Sequence, residues 1–264
     1  MGLEPLFAEV RAEGRAALVG YLPAGFPTVD GSVDLLRGMV DAGCDLVEVG
    51  VPYSDPVMDG PTIQAAAETA LSAGFRLKSL FTVVEQVSAA GGRAVVMTYW
   101  NPVLRYGVDA FARDLAAAGG LGIITPDLVP DEADDWMAAS EAHGLDRIFL
   151  VAPSSSPERI ARTVEASSGF VYATAVMGVT GARDQVGSAA EGLVARTREH
   201  TTLPIGVGLG VRSGAQAAEV AAFADAVIVG SAYVTSATTD GVAGVRALTE
   251  ELAQGVRRTP STIG

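Results

Sequence analysis

Glu48, Asp55 and Asp59 share one short stretch, DLVEVGVPYSDPVMDGP, residues 45–61. The stretch begins as a β-rich apolar run and ends as a Pro/Gly-rich loop. Glu48 stands between Val47 and Val49, inside the apolar part. Burying a carboxylate costs several kcal/mol unless it is paired or protonated. No Lys or Arg sits in the adjacent residues to pair with it. Desolvation should therefore push its pKa upward. A glutamate tuned in that way can give and take a proton near neutral pH. The plainer role is a structural glutamate hydrogen-bonded to neighbouring strands. Asp55 in SDP and Asp59 in DGP fit turn chemistry, for which aspartate is favoured, and their residue types alone assign them nothing more.

A carboxylate placed this way needs a scaffold that repeats. Eight apolar, β-rich runs recur, at residues 17–23, 45–52, 94–100, 122–128, 147–153, 169–176, 204–210 and 226–232. Near-continuous apolar strands are expected where a parallel sheet is buried on both faces. Ala-rich segments of helical period lie between them, as in VDLLRGMVDAG, where Val33, Leu36, Met39 and Val40 fall on one face. Asp30, Asp131, Ser156 before Pro157, and Ser213 mark helix starts. Eight βα units in ~250 residues predict a single (β/α)8 TIM-barrel domain over residues 1–264. Extra helices are expected at residues 5–12 and within 62–90, after the second strand. An open doubly wound sheet fits less well, because no G-x-G-x-x-G follows the first strand.

In such a barrel the chemistry sits where the strands end. The last two strands end in GVGLGVRS and VGSAYV, each placing glycines just ahead of a helix. Glycine lets a phosphate approach the backbone, and the helix N-terminus presents oriented N–H groups. The loops after these two strands are the recurrent phosphate site of the fold. The sixth strand runs into AVMGVTGARDQVGS, a glycine-rich loop long enough to act as a lid. Tyr21, Tyr99, Asn101, Asp127 and Tyr172 are the other polar strand ends. Tyrosines there can line an aromatic substrate or simply pack. Asp127 fits either substrate contact or orientation of a loop neighbour.

The bulk properties narrow the partners. Net charge is −13 and pI about 4.5, which argues against nucleic acid or an anionic membrane. An anionic substrate would then be bound largely by backbone N–H groups. Cys44 is the only cysteine, compatible with a cytoplasmic location. His143 and His200 lie far apart and offer no metal-ligand spacing, so no metal is expected. Charged residues interrupt any N-terminal apolar run, and no apolar stretch reaches the ~20 residues of a membrane helix.

Several segments together resemble the tryptophan synthase alpha chain family, in order and end to end. The family signature ELGVPFSDPLADGP here reads EVGVPYSDPVMDGP. YLPAGFPT, NPVLRYGVDAF, TPDLVPDEA, FLVAPSSSPERI, GFVYATAVMGVTG and VIVGSA follow at the expected spacing. The resemblance implies a TIM barrel that cleaves indole-3-glycerol phosphate by retro-aldol chemistry to indole and glyceraldehyde 3-phosphate, without cofactor or metal. It implies that Glu48 is the acid/base at the indole C3 carbon, that Asp59 engages the indole N–H, and that Tyr172 lies beside the substrate. It also implies that Gly181, Gly210, Gly230 and Ser231 hold the phosphate.

The resemblance further implies a PLP-dependent beta chain as partner, in an αββα assembly that receives the indole. PLP is expected only in that partner, and contact is expected near residues 52–61, including Asp55. Two departures from the family pattern stand out. Ala175 and Val176 replace a common Ser-Arg before the glycine-rich loop, and Phe26 stands before Pro27 where Asp is usual. Both bear on lid closure and communication between subunits more than on chemistry. A stand-alone lyase releasing free indole and a non-catalytic phosphate-ligand-binding activator are the rival readings.

Overall fold

The structure is a computed structural model and describes residues 2–175 and 183–257. Its strands are β1 (Ala17–Pro23), β2 (Leu46–Gly50), β3 (Ala94–Met97), β4 (Gly122–Ile124), β5 (Asp146–Ile148), β6 (Leu150–Val151), β7 (Val171–Thr174), β8 (Ile205–Gly208) and β9 (Ala226–Val229). They are parallel and neighbour one another in the order β5-β4-β3-β2-β1-β9-β8-β7-β6. The two ends of that order, β5 and β6, are consecutive pieces of one stave interrupted at Phe149. The fifth expected strand is thus split, and through it the sheet closes into the expected barrel.

Eleven helices are described: α1 (Glu4–Ala12), α2 (Val29–Asp41), α3 (Pro61–Ser72), α4 (Leu77–Ala89), α5 (Trp100–Tyr106), α6 (Val108–Ala117), α7 (Asp134–His143), α8 (Pro157–Ala166), α9 (Arg183–Arg198), α10 (Gly214–Ala221) and α11 (Ser231–Val256). The surplus helices α1 and α3 fall where the sequence places them. Helix α5 was not foreseen, since the third strand was read through Trp100. It forms because Pro102 suits a first helical turn, and the Asp127 carboxylate accepts from the Trp100 N–H at 2.9 Å. Ser156 and Ser213 are N-caps as expected, accepting from Arg159 and Gln216. Asp30 is not the cap of α2. Thr28 accepts from the Gly31 N–H there, and Asp30 sits in the first turn. Asp131 lies in a short 3-10 turn, Pro130–Glu132.

Strand alternation sorts the core into two layers. Leu18, Leu22, Val47, Val49, Val96, Ile123 and Val227 face the helices. Ala17, Val19, Leu46, Val95, Ile124, Ile148, Phe170, Ala226 and Ile228 face inward. Helix α1 seals the lower end of the barrel with Leu6, Phe7 and Val10, and Phe7 packs on Phe170 with ring centroids 5.7 Å apart. Two residues above Val19, Leu46, Val95 and Phe170 on the same face stand Tyr21, Glu48, Met97 and Tyr172. The period of two that builds the core therefore also aims these side chains at the barrel mouth.

Candidate active site

A cavity of about 390 Å3 opens at the C-terminal ends of the strands, within the ~300–1,000 Å3 of small-molecule sites. Glu48, Tyr21, Met97, Tyr172, Gly208 and Ile228 form its floor and walls, and Met58, Asp59, Thr62 and Ile63 close one side. Gly210, Arg212, Gly230 and Ser231 close the other.

Glu48 is 1% exposed and its Oε1 has no hydrogen-bond partner among the described residues. Burial pushes its carboxyl up to about 8. It is thus neutral over most of the physiological range, a proton donor facing an open space. Asp59 stands across the cavity at the start of α3. It is less buried, and burial raises its carboxyl, while a hydrogen bond from the Tyr99 hydroxyl acts in the opposite direction. Two carboxyls held in such different surroundings suit different tasks.

The glycine-rich side has features that suit an anion. Gly230 precedes the first turn of α11, which opens with Ser231 at the cavity wall. The first N–H groups of a helix have no partners within it and carry partial positive charge. Gly210 has φ +70°, a conformation that favours glycine. Arg212 adds a basic side chain. Sequence reasoning missed it, although it lies in the GVGLGVRS turn already assigned to phosphate.

The other expected site residues divide. Tyr21, Tyr172, Gly210, Gly230 and Ser231 line the cavity. Tyr99 and Asp127 are not among its lining residues. Tyr99 is 6% exposed and lies behind the loop after β2, where its hydroxyl accepts from the Met58 N–H at 2.9 Å and donates to Asp59. Asp127 is exposed and caps α5, so of its two open roles it takes the orientation of a neighbour. Gly181 and Val176, with the lid reading of that loop, lie outside the described residues. Ala175 donates its N–H to the Gly208 carbonyl, and Phe26 is buried in the outer core, which accounts for an apolar side chain there. Among the described residues no three His, Cys, Asp or Glu side chains are grouped to hold a metal, and no helix is long and apolar enough to cross a membrane.

A closed parallel barrel with a neutral carboxyl on its floor and an anion cradle on its rim belongs to the class of barrel enzymes that move protons on phosphorylated substrates. The model of the tryptophan synthase alpha chain family matches residues 7–259. The tryptophan synthase alpha chain of Nocardia farcinica is 69% identical over 251 residues, covering 95% of this chain and 94% of that one. That of Mycobacterium marinum is 68% identical over 259 residues, covering 98% and 96%. A solved structure of Mycobacterium tuberculosis tryptophan synthase superposes with a TM-score of 0.93 at 65% identity, over 97% of this chain and 98% of that one. The alpha subunit of Legionella pneumophila tryptophan synthase does so at 0.88 and 30% identity, over 97% and 98%. The chain belongs to the tryptophan synthase alpha chain family. It is a carbon–carbon lyase that cleaves indole-3-glycerol phosphate.

Proposed function

We propose that this chain, acting as one barrel domain over residues 1–264, carries out the cleavage with Glu48 and Asp59 as its reacting groups. The observation that carries the reading is the neutral Glu48 carboxyl, its Oε1 without a hydrogen-bond partner among the described residues, facing a cavity whose opposite rim is formed by Gly210, Gly230 and Ser231. Breaking the bond between the indole ring and the glycerol carbon requires the ring in its indolenine form. Glu48 supplies the proton to C3. Positive charge then grows at N1, where the Asp59 carboxylate stabilises it. Gly181, Gly210, Gly230 and Ser231 hold the phosphate, and Tyr21 and Tyr172 wall the reacting part of the substrate. Tyr99 acts through Asp59, holding it and the adjacent Met58 backbone in place.

These are proton transfers and charge stabilisation, chemistry that carboxylates perform unaided, so no cofactor of this chain is invoked. A PLP-dependent beta chain is the partner we assign, in an αββα heterotetramer that passes indole onward, with PLP belonging to that partner. The contact we assign is the loop of residues 52–61, including Asp55. Val57 and Met58 on that loop are 79% and 55% exposed and Leu104 on α5 is 52% exposed, apolar surface of the kind that marks a binding face. A phosphorylated substrate that does not cross membranes points to the cytoplasm.

The test is indole-3-glycerol phosphate cleavage by the purified chain, alone and with its cognate beta chain. Slow cleavage that rises strongly on adding the partner is expected. Rapid cleavage unchanged by the partner would make the chain a stand-alone lyase. No cleavage in either setting, with phosphate ligand still bound, would make it an activator subunit and remove Glu48 as catalyst.

A further inference from the structure

Tyr21 on β1 is the register partner of Glu48 on β2, and both line the cavity. Its phenol lies across two glycines on the neighbouring strands. A Cβ placed on Gly230 would stand 3.6 Å from Tyr21 Cδ1, whereas one placed on Gly50 would stand 2.4 Å from the Tyr21 hydroxyl oxygen. The base of the ring is therefore beside the phosphate cradle. The hydroxyl end occupies the notch that Gly50 leaves open on β2, the strand that carries Glu48. Burial, with the nearby charges of Asp59 and then Glu48, holds its proton on well above the usual tyrosine range. It is thus an un-ionised O–H, able to donate and accept, between the place of the phosphate and the place of the ring.

We propose that the Tyr21 hydroxyl is a third catalytic group of the reaction, a proton relay between Glu48 and the substrate hydroxyl on the carbon joined to the indole ring. The inference rests on the assignment of Glu48 as the acid. After Glu48 has given its proton to C3, it is a carboxylate. As the ring–carbon bond breaks, its electron pair returns to the ring and neutralises N1. The O–H bond of the substrate hydroxyl breaks, and its electron pair becomes the second bond of the new carbonyl. That proton passes to the Tyr21 oxygen while the Tyr21 proton passes to Glu48. Glu48 ends protonated and Tyr21 unchanged, so the site is reset within one turnover.

Tyr21→Phe keeps the ring over both glycines and removes only the relay. Its kcat for indole-3-glycerol phosphate should fall about a hundredfold, with the thermal midpoint unchanged. Binding of an analogue lacking both glycerol hydroxyls should be the same in parent and variant, because that analogue offers Tyr21 nothing to bond. A kcat within twofold of the parent would overturn the relay. So would a loss of analogue affinity as large as the loss in kcat, which would make Tyr21 a wall. Glu48→Gln measured in parallel separates the two claims: inactive Glu48→Gln beside fully active Tyr21→Phe removes the relay alone, and active Glu48→Gln removes both.

Discussion

Replacing Glu48 with glutamine should leave a signature in folding stability as well as in activity. In the unfolded chain this carboxyl titrates near 4.5, and in the barrel burial raises it to about 8. Between those values the unfolded chain has released its proton and the folded chain keeps it. Folding then takes up a proton, so stability must fall as pH rises. The loss begins near 4.5, grows by up to about 1.4 kcal/mol per pH unit, and levels off near 8. There it amounts to as much as ~5 kcal/mol from this one side chain, which at 1% exposure has almost no solvent to soften it. Glutamine is uncharged throughout and carries none of this slope. Its amide adds donors where Glu48 Oε1 already lacks a partner among the described residues, a pH-independent offset of about 1–3 kcal/mol. Urea titrations of parent and Glu48→Gln at about pH 5 and about pH 8 would read the difference. The variant should gain several kcal/mol relative to the parent across that interval while losing cleavage, and the parent's activity should decline as pH passes about 8. A stability difference that stays constant from acid to alkaline pH would refute the reasoning, because it would mean the folded carboxyl titrates where the unfolded one does.

Tyr99→Phe removes the bonds to Met58 and Asp59 but keeps the ring against Tyr53, with centroids 5.4 Å apart. Its kcat should fall about tenfold, and the acid limb of the pH profile should move up, since the lost bond is the one lowering the Asp59 carboxyl. Gly230→Ala adds a methyl that meets no protein atom nearer than 3.6 Å. It should fold normally yet raise KM for the phosphate ester about tenfold, read by steady-state kinetics and thermal melting. Asp45→Ala strips Arg15 of bonds at 2.7 and 2.9 Å and the Leu18 N–H of one at 2.8 Å. With both side chains about 10% exposed or less, urea titration should show a loss of about 3–5 kcal/mol.

The barrel and the buried, neutral carboxyl on its floor were legible in the residues themselves. Continuous apolar runs separated by amphipathic segments leave little choice but a parallel sheet covered by helices. An unpaired glutamate inside such a run has to be neutral or very costly, and that local physics survives whatever the rest of the chain does. The two glycine turns before the last helices likewise pointed to the rim that Gly210 and Gly230 form on the cavity, because backbone access is a property of glycine wherever it stands. What needed the tertiary structure was the sorting of side chains of the same type. Tyr21, Tyr99 and Tyr172 read alike as polar strand ends, but Tyr21 and Tyr172 face the cavity while Tyr99 stands behind the loop after β2 and holds Asp59. Asp59 read as a turn aspartate and Asp127 as a polar strand end, and it is the turn residue that lines the cavity while the strand-end residue caps α5. Those differences depend on which strands become neighbours and how far each is shifted along the barrel, contacts between residues distant in sequence. The notch at Gly50 that receives the Tyr21 hydroxyl is of the same kind, since a missing side chain has meaning only once another strand is laid beside it.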